Sequence, residues 1–205
     1  MNKLKLFIIL ISLTISGCER NESNEKNKSN FNGSFWIEDY ITNLNFPWSF
    51  TWLPNGDLLV TERLGKIKLI RNGKFINYIK NVPNVMSSSP FDGLLDIKID
   101  PDFLNNSLIY LSYTKGTTTN RIGVVYRAKL ENNSLINGKE IYNTSPPAPT
   151  GGPNITKLQF LKDKSLVFAV GSSGQHAYNM VQRLDGDIGK IIRINTDGSI
   201  PEDNP

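Results

Sequence analysis

Short runs of alternating apolar and polar residues, separated by turn residues, make up most of the chain from Trp48 onward. In the run SFTWL, for example, Phe50 and Trp52 fall on the same face, and alternation with a period of two is typical of a half-buried β-strand. The dipeptide Asn72-Gly73 favours a two-residue hairpin, because both residue types tolerate a positive φ. Four such runs follow one another within about thirty residues and predict four antiparallel strands joined by tight turns: SFTWL, LLVTE, KIKLI and FINYI.

The same strand-and-turn pattern recurs twice further along the chain. A second round contains LLDIKID, LIYLSYT, RIGVVYRAKLE and GKEIY, and a third contains ITKLQFL, LVFAV and KIIRIN. Repeats of roughly forty to sixty residues, each a four-stranded unit, predict an all-β propeller with about three to three and a half blades in residues 35–205. A β-sandwich is the alternative, since it also has many short strands, but it does not explain the repeat-like spacing.

The predicted number of blades is smaller than a closed propeller requires. Rings of this kind contain about four to eight blades, and an open ring leaves apolar faces and strand edges uncovered. We therefore expect the missing blades to come from the rest of a longer chain or from another chain. A truncated reading frame without a stable product is a third alternative.

The first residues have the pattern of an export signal. Lys3 and Lys5 precede the apolar run Leu6–Ile15, which is too short to span a bilayer, since spanning takes about twenty residues, and has the length of a signal-peptide core. The run ends in ISGC, and these small residues before Cys18 resemble a bacterial lipobox. The pattern predicts a signal peptide over 1–17, cleavage before Cys18 and acylation of that residue. The protein is then exported and anchored to a membrane by lipid, on the periplasmic side or at the cell surface.

Composition limits the remaining functional classes. Residues 18–34 are polar and rich in Asn, Ser, Lys and Glu, which predicts a flexible tether rather than folded structure. The chain carries a net charge of +4 with scattered positive residues, so we expect no nucleic-acid partner. Its single cysteine lies at the predicted lipidation position, which excludes disulfides and zinc thiolate sites from residues 35–205. One histidine, His176, excludes any mechanism that needs two from this chain.

Three segments together resemble the soluble aldose sugar dehydrogenases that depend on pyrroloquinoline quinone (PQQ), the glucose/sorbosone dehydrogenase family. They occur in the family's order within a match that extends over about residues 42–205: LNFPWSFTWLPNGDLLVTERLGKIKLIRNG, GLLDIKIDPDFLNNSLIYLSYT and LDGDIGKIIRINTDGSIPEDNP. The resemblance implies the N-terminal half of a six-bladed propeller that holds PQQ and calcium in a cleft on one face. It also implies oxidation of an aldose at C1 to the lactone, with a histidine as the base and an external electron acceptor.

The chain departs from the family at the positions where the resemblance implies chemistry. Phe91 in SSSPFDGLLD stands where the family has a glutamine or glutamate. Aligning TGGPNITKLQF with the family's His-Phe-Gly-Gly-Arg motif places Pro153 at the histidine and Lys157 at the arginine. Lys157 keeps the charge of arginine but not its planar fork. The family's Gly-Asp-Arg-Gly loop becomes Gly171–Gly174.

The remaining candidate site residues are few. His176 is the candidate base, and Lys157 and Gln182 are candidate cofactor contacts, with Gln175 a further polar residue in the same loop as His176. No metal ligands are assigned, because the acids in the turns are isolated and do not form the oxygen cluster that calcium prefers: Asp57, Asp92 and Asp102.

Two functional hypotheses follow from the resemblance. The first is an enzyme that oxidises an aldose with PQQ. The second is a non-catalytic propeller lipoprotein that binds carbohydrate, which Phe91 and Pro153 favour because neither side chain can replace the polar residue of the family.

Overall fold

The computed structural model describes residues 37–149, 152–171 and 179–204, and the body of the fold spans Tyr40–Pro205. The predicted signal peptide, the tether, Cys18 and His176 lie outside the described residues, as does Gln175. Among the helices of the described part, none is long and apolar enough to cross a membrane.

The described residues form eleven strands and one four-residue helix, α1. In chain order they are β1 (Pro47–Trp52), β2 (Leu58–Glu62), β3 (Lys66–Arg71), β4 (Lys74–Tyr78), β5 (Leu94–Ile99), α1 (Phe103–Asn106), β6 (Leu108–Thr117), β7 (Asn120–Glu131), β8 (Ser134–Asn143), β9 (Leu158–Phe160), β10 (Leu166–Ala169) and β11 (Ile191–Ile194).

The strands form three antiparallel sheets in which neighbours in sequence are neighbours in space. The first sheet has the order β1-β2-β3-β4, the second β5-β6-β7-β8 and the third β9-β10-β11. The turns have the conformations that their residues favour: φ is 50° at Asn72 and 71° at Gly73, and Asn132 and Asn133 between β7 and β8 also have positive φ. The prediction of successive blade-like units is confirmed.

The second sheet is buried on both faces, which distinguishes this arrangement from a sandwich. On β6, Ile109 and Leu111 belong to a core shared with the first sheet, through residues such as Leu59 and Ile67. Tyr110, between them in sequence, packs instead into a core with residues of the third sheet. A two-sheet sandwich buries one face of each sheet, so the sandwich alternative is wrong and the propeller prediction is confirmed.

The first strands of the three sheets are joined by one buried carboxylate. Asp96 on β5 is fully buried and accepts a hydrogen bond from Ser49 Oγ on β1. It also accepts one from the backbone N–H of Leu158 on β9, at 2.6 Å, and lies 3.4 Å from Lys157 Nζ. The alternation in the sequence places Asp96 on the polar face of its strand. In the structure that face is also covered, because β5 lies between two sheets.

Apolar side chains are also exposed on the outer side of the first sheet. Phe50 and Trp52 of β1 are about half exposed, as their alternation on one face predicts, and Trp52 meets Tyr40 edge to face at 5.4 Å between ring centroids. In a propeller this side of a first blade faces another blade.

Candidate functional site

The loops that carry the sequence-predicted site positions gather at one end of the sheets. In an antiparallel meander, the chain enters the first strand at the same end at which it turns from the second strand to the third. We call this the loop end; its described segments are 43–46, 63–65, 79–93, 118–119, 144–149, 152–157, 170–171 and 179–190. The positions of Phe91, Pro153 and Gln182 therefore share one end of the fold.

Arg63 ties the loop end of the first sheet to that of the second. Its Nη1 donates to Ser87 Oγ at 2.9 Å and to the carbonyl oxygens of Ser89 and Asp92 at 2.5 and 3.1 Å. Gly93 allows this close approach: its φ is 127°, and a Cβ atom there would lie 2.1 Å from the Arg63 carbonyl oxygen. The loop before β5 is thus held against the first sheet.

Asp92 and Arg121 form a buried ion pair at the loop end. Their side chains are 1% and 11% exposed, and Arg121 Nε lies 3.2 Å from Asp92 Oδ2. Ser88 Oγ donates to the same carboxylate oxygen at 3.0 Å. The Arg121 guanidinium also donates to the carbonyls of Thr118 and Pro149 and lies 3.5 Å from Ser88 Oγ, so most of its N–H groups are used. Asp92 is therefore paired with a buried cation.

Asn154 provides an unsatisfied acceptor beside this pair. The residue is 8% exposed, and its Oδ1 atom is buried without a hydrogen-bond partner. Gly152 lies between the two side chains: a Cβ atom there would be 3.0 Å from Asp92 Oδ1 and 3.1 Å from Asn154 Oδ1. The side chains of Asp92, Asn154 and Arg121 therefore pack closely around Gly152, where any side chain would force them to shift.

Pro153, which the resemblance places at the family's base, is buried and offers no exchangeable proton. Its carbonyl oxygen packs against Gly123 of β7, where a Cβ atom would lie 2.3 Å away. The next residue, Asn154, exchanges backbone hydrogen bonds with Gly171 at 2.9 and 3.0 Å. This segment is therefore fixed on both sides, and Pro153 acts as part of the backbone scaffold.

The two candidate cofactor contacts lie at different places. Lys157 is at the entrance to β9, with a side chain 64% exposed, and its ammonium pairs with Asp96 at the centre of the three sheets. Gln182 is exposed on the loop before β11. That loop is held by Lys190, whose ammonium donates to the carbonyls of Val181 and Ile188 at 2.8 and 3.0 Å. Phe91 is 53% exposed at the loop end.

The other turn acids have local partners. Asp57 is buried and receives two hydrogen bonds of 2.7 Å from Arg71, which lower the pKa of that carboxyl below its usual value. Asp102 accepts a hydrogen bond from Asn105 at 2.6 Å. Asp57, like Asp92, is therefore paired with an arginine. Within the described part of the chain, no three His, Cys, Asp or Glu residues come together as a metal site.

The described residues do not by themselves fit the quinone and calcium that the resemblance implies. Calcium takes about six to eight oxygen ligands, whereas the described part of the loop end shows the unsatisfied Asn154 Oδ1 beside a carboxylate that is already paired with a guanidinium. PQQ carries several carboxylates and needs donors or cations, but Arg121 is already engaged and Phe91 is apolar. The exposed ammonium of Lys157 is the candidate cation for such an anion, and it already pairs with Asp96.

Comparison with known proteins extends the resemblance over most of the fold. The chain is 34% identical over 185 residues to an uncharacterised protein of Synechocystis, an alignment covering 80% of this chain and 44% of that protein. It is 29% identical to quinoprotein glucose dehydrogenase B of Acinetobacter calcoaceticus, over 80% of this chain and 40% of the relative. The crystal structure of the soluble aldose sugar dehydrogenase of Escherichia coli, in its apo-form, superposes with a TM-score of 0.71 at 28% identity, covering 79% of this chain and 47% of that one.

These alignments also define how much of a relative the chain represents. It spans less than half the length of the curated relatives it matches. The sequence pattern of the Glucose / Sorbosone dehydrogenase family matches residues 44–205, which include all three sheets. The chain therefore belongs to the glucose/sorbosone dehydrogenase family.

Proposed function

We propose that this chain forms about half of a PQQ-dependent aldose sugar dehydrogenase, which oxidises an aldose at C1 to the lactone and passes the electrons to an external acceptor. The observation that carries the proposal is the family match over residues 44–205, together with relatives named as an aldose sugar dehydrogenase and a quinoprotein glucose dehydrogenase. Because the described residues do not by themselves fit the cofactor or calcium, most of the contacts are expected from residues outside the described part.

His176 is the candidate base in this proposal. An imidazole titrates close to neutral pH and can therefore accept a hydroxyl proton under working conditions. It is also the one histidine of the chain, so no second one competes for the role within these residues. Lys157 and Gln182 are the proposed contacts to the cofactor, and the exposed ammonium of Lys157 is the better suited to an anion.

Reconstitution tests the proposal directly. The complete gene product is incubated with PQQ and calcium chloride, and a panel of aldoses is assayed by reduction of an artificial electron-acceptor dye. We expect turnover that requires PQQ, and a His176→Asn variant that loses about a hundredfold or more of the activity. Absence of turnover with every aldose, in a protein that binds PQQ, contradicts the proposal.

A second candidate function is carbohydrate binding without catalysis. It is favoured by the buried Pro153 and by Phe91, since the family's polar groups are absent at both positions. Calorimetric binding of the same aldoses to a protein that shows no PQQ-dependent turnover would identify this function in place of the enzyme.

We further propose that the protein is exported and anchored by lipid at Cys18, on the periplasmic side of a membrane or at the cell surface. The support is the charged, apolar and small-residue pattern that ends in ISGC. Incorporation of labelled palmitate into the wild type but not into a Cys18→Ser variant tests it. Label in both proteins, or in neither, contradicts the anchor.

A further inference from the structure

We propose that the loop end faces away from the membrane, because the chain that leads from the lipid anchor enters the fold at the opposite end of the sheets. This inference rests on the proposed anchor at Cys18 and adds which side of the fold faces the lipid surface. We call the opposite end the turn end; its described segments are 53–57, 72–73, 100–107, 132–133, 161–165 and 195–199.

The first step is the course of residues 40–46, which we call the entry segment. It crosses the outer side of the first sheet, where Ile41 and Leu44 pack against three apolar residues of β2 and β3. Strand pairing places these three residues on the same face as Phe50 and Trp52: they are Leu58, Val60 and Ile70. The entry segment therefore lies on the outer side of this sheet and not in the core that it shares with the second sheet.

The second step is the direction of the entry segment. Tyr40 lies beside the turn between β3 and β4, since its carbonyl oxygen would be 2.7 Å from a Cβ atom on Gly73, and its ring meets that of Trp52 at the end of β1. Phe46 lies at the loop end, where its carbonyl oxygen accepts a hydrogen bond of 2.9 Å from the backbone N–H of Arg63. The chain thus enters the body of the fold at the turn end and runs to the loop end.

The third step is the attachment of the entry segment to the sheet. Glu62 Oε1 accepts a hydrogen bond of 2.6 Å from the backbone N–H of Asn45, and Lys68 Nζ donates one of 2.5 Å to the carbonyl of Asn43. Glu62 and Lys68 also pair with each other at 3.0 Å, with side chains only 1% and 10% exposed. Loss of one partner would leave a buried charge unpaired, so the point at which the chain joins the fold is fixed.

The fourth step is the reach of the chain between anchor and fold. About twenty residues separate Cys18 from Tyr40. A flexible chain of that length, as the sequence predicts for residues 18–34, has a root-mean-square end-to-end distance of about 25 Å. β7 alone has 12 residues and extends about 40 Å between the two ends of the second sheet. The anchor therefore keeps the turn end closer to the bilayer, on average, than the loop end.

The fifth step is the character of the two ends. Acids outnumber bases in the described segments of the turn end, whereas binding to anionic lipid takes clusters of Lys and Arg, so the orientation comes from the attachment and not from adhesion. The loop end carries the exposed apolar side chains of Phe46, Leu64 and Phe91, which would favour the reverse orientation. That orientation would press the sequence-predicted site positions against the bilayer, where a sugar in water has no access.

Energy transfer from the protein to the bilayer tests the orientation. One cysteine is introduced at an exposed position of the complete gene product, in two matched pairs. Lys74→Cys and Leu64→Cys mark the turn end and the loop end of the first sheet, and Glu131→Cys and Thr119→Cys mark those of the second. Each acylated protein is labelled with a maleimide donor dye and reconstituted into phosphatidylcholine vesicles that contain a rhodamine-labelled lipid. Acylation leaves Cys18 without a free thiol, and the wild type treated in the same way gives the background.

We expect the turn-end label of each pair to transfer at least about twofold more efficiently than its loop-end partner, since the two labels lie a strand length apart. A variant with about sixty Gly and Ser residues inserted after Ser34 lengthens the tether, and we expect the difference to shrink. Equal transfer from the two ends, or higher transfer from the loop end, overturns the proposal; the second result would mean that the apolar loop end contacts the bilayer.

Two further outcomes identify which premise fails. A difference that the longer tether leaves unchanged overturns the proposal, because the turn end would then bind lipid directly. Absence of labelled palmitate from the wild type contradicts the anchor and this inference with it, whereas normal incorporation with equal transfer contradicts the orientation alone. None of these measurements depends on PQQ-dependent turnover, so the proposed dehydrogenase activity is tested separately.

Discussion

Two buried carboxylates four positions apart in the sequence, Asp92 and Asp96, have contrasting surroundings. Asp96 lies inside β5 and is bonded by Ser49 of β1 and, at the start of β9, by Lys157 and the backbone of Leu158. Asp92 lies on the loop that leads into the same strand and is held through one oxygen, Oδ2, by Arg121 and Ser88. Asp96 thus joins sheets, whereas Asp92 joins the loop before β5 to the start of β7.

The contrast shows that two buried carboxylates close together in sequence can stabilise different parts of a fold. A buried carboxylate whose oxygens are both bonded within the fold stabilises the arrangement of the strands around it. The Asp92 carboxylate instead fixes the loop before β5 through a buried ion pair with Arg121. Variants at these residues, and at one exposed carboxylate for reference, test the contrast.

Replacement of the central carboxylate is expected to have the largest effect. Asp96→Ala removes hydrogen bonds from Ser49 Oγ and from the Leu158 N–H, which then stays buried without a partner. With bonds to a charged group contributing about 1.5–3 kcal/mol each, we expect the free energy of unfolding to fall by about 4 kcal/mol. Urea denaturation measures the change, and a loss below about 1 kcal/mol would show that Asp96 does not join the sheets.

Removal of the cation at the loop end is expected to cost somewhat less. Arg121→Met leaves the Asp92 carboxylate buried without its counter-ion, and we expect a loss of about 3 kcal/mol in the free energy of unfolding. The double variant Asp92→Asn/Arg121→Met should recover part of that loss, since no unpaired charge remains. Purely additive losses in the double variant would mean that the two side chains do not act as a pair.

Removal of Lys157 distinguishes the ion pair of Asp96 from its hydrogen bonds to the neighbouring strands. Lys157→Met keeps the Ser49 and Leu158 bonds and removes a cation whose side chain is 64% exposed, so water already screens the pair. We expect a loss of no more than about 1 kcal/mol by urea denaturation. If Lys157→Met costs as much as Asp96→Ala, the ion pair, and not the inter-strand hydrogen bonds, stabilises the centre.

Replacement of the exposed carboxylate Asp163 is expected to have the smallest effect on stability, and that effect depends on pH. Hydrogen bonds from the Ser165 hydroxyl and backbone, and from Arg193, lower the pKa of Asp163 to about 2. Because the folded-state pKa is lowered, its stabilisation is complete above the unfolded-state pKa of about 4 and disappears as the pH falls towards 2. Asp163→Asn should therefore melt below the wild type at pH 7, and the Tm difference should close between about pH 4 and pH 2. A difference that stays constant down to pH 2 contradicts this assignment.

Local patterns were sufficient to predict the sheets. The alternation in KIKLI and the Asn72-Gly73 turn predicted a hairpin that the structure contains between β3 and β4, because strand period and turn conformation depend on neighbouring residues. The short helix α1 was not predicted, since its single turn lies in PDFLNN between two strong strand patterns. β8 is longer than the predicted GKEIY, because pairing with β7 extends it beyond its apolar core.

The candidate site could not be predicted in the same way. Asp92 and Arg121 are 29 residues apart, and Asn154 lies on a third segment, so their meeting depends on the packing of the sheets. In the sequence Asp92 is one acid in a turn, and an unsatisfied oxygen leaves no trace in composition or spacing. The available signal was the charged Arg121 directly before the apolar run 122–126 of β7, since a buried arginine requires a partner. The predicted roles of His176 and Gln182 stay predictions.

The bonds of Asp96 also carry a kinetic consequence. They join residues 47 and 62 positions apart, whereas the hairpins within each sheet join near neighbours. Closing such long loops costs more chain entropy than closing a hairpin, and this cost slows the step. The sheets are therefore expected to form before the contacts of Asp96 that join them. A group that finds its partners after the folding barrier affects mainly the rate of unfolding. The contacts of Asp96 are thus expected to form after the sheets. Their loss should increase the rate of unfolding and leave the rate of folding almost unchanged.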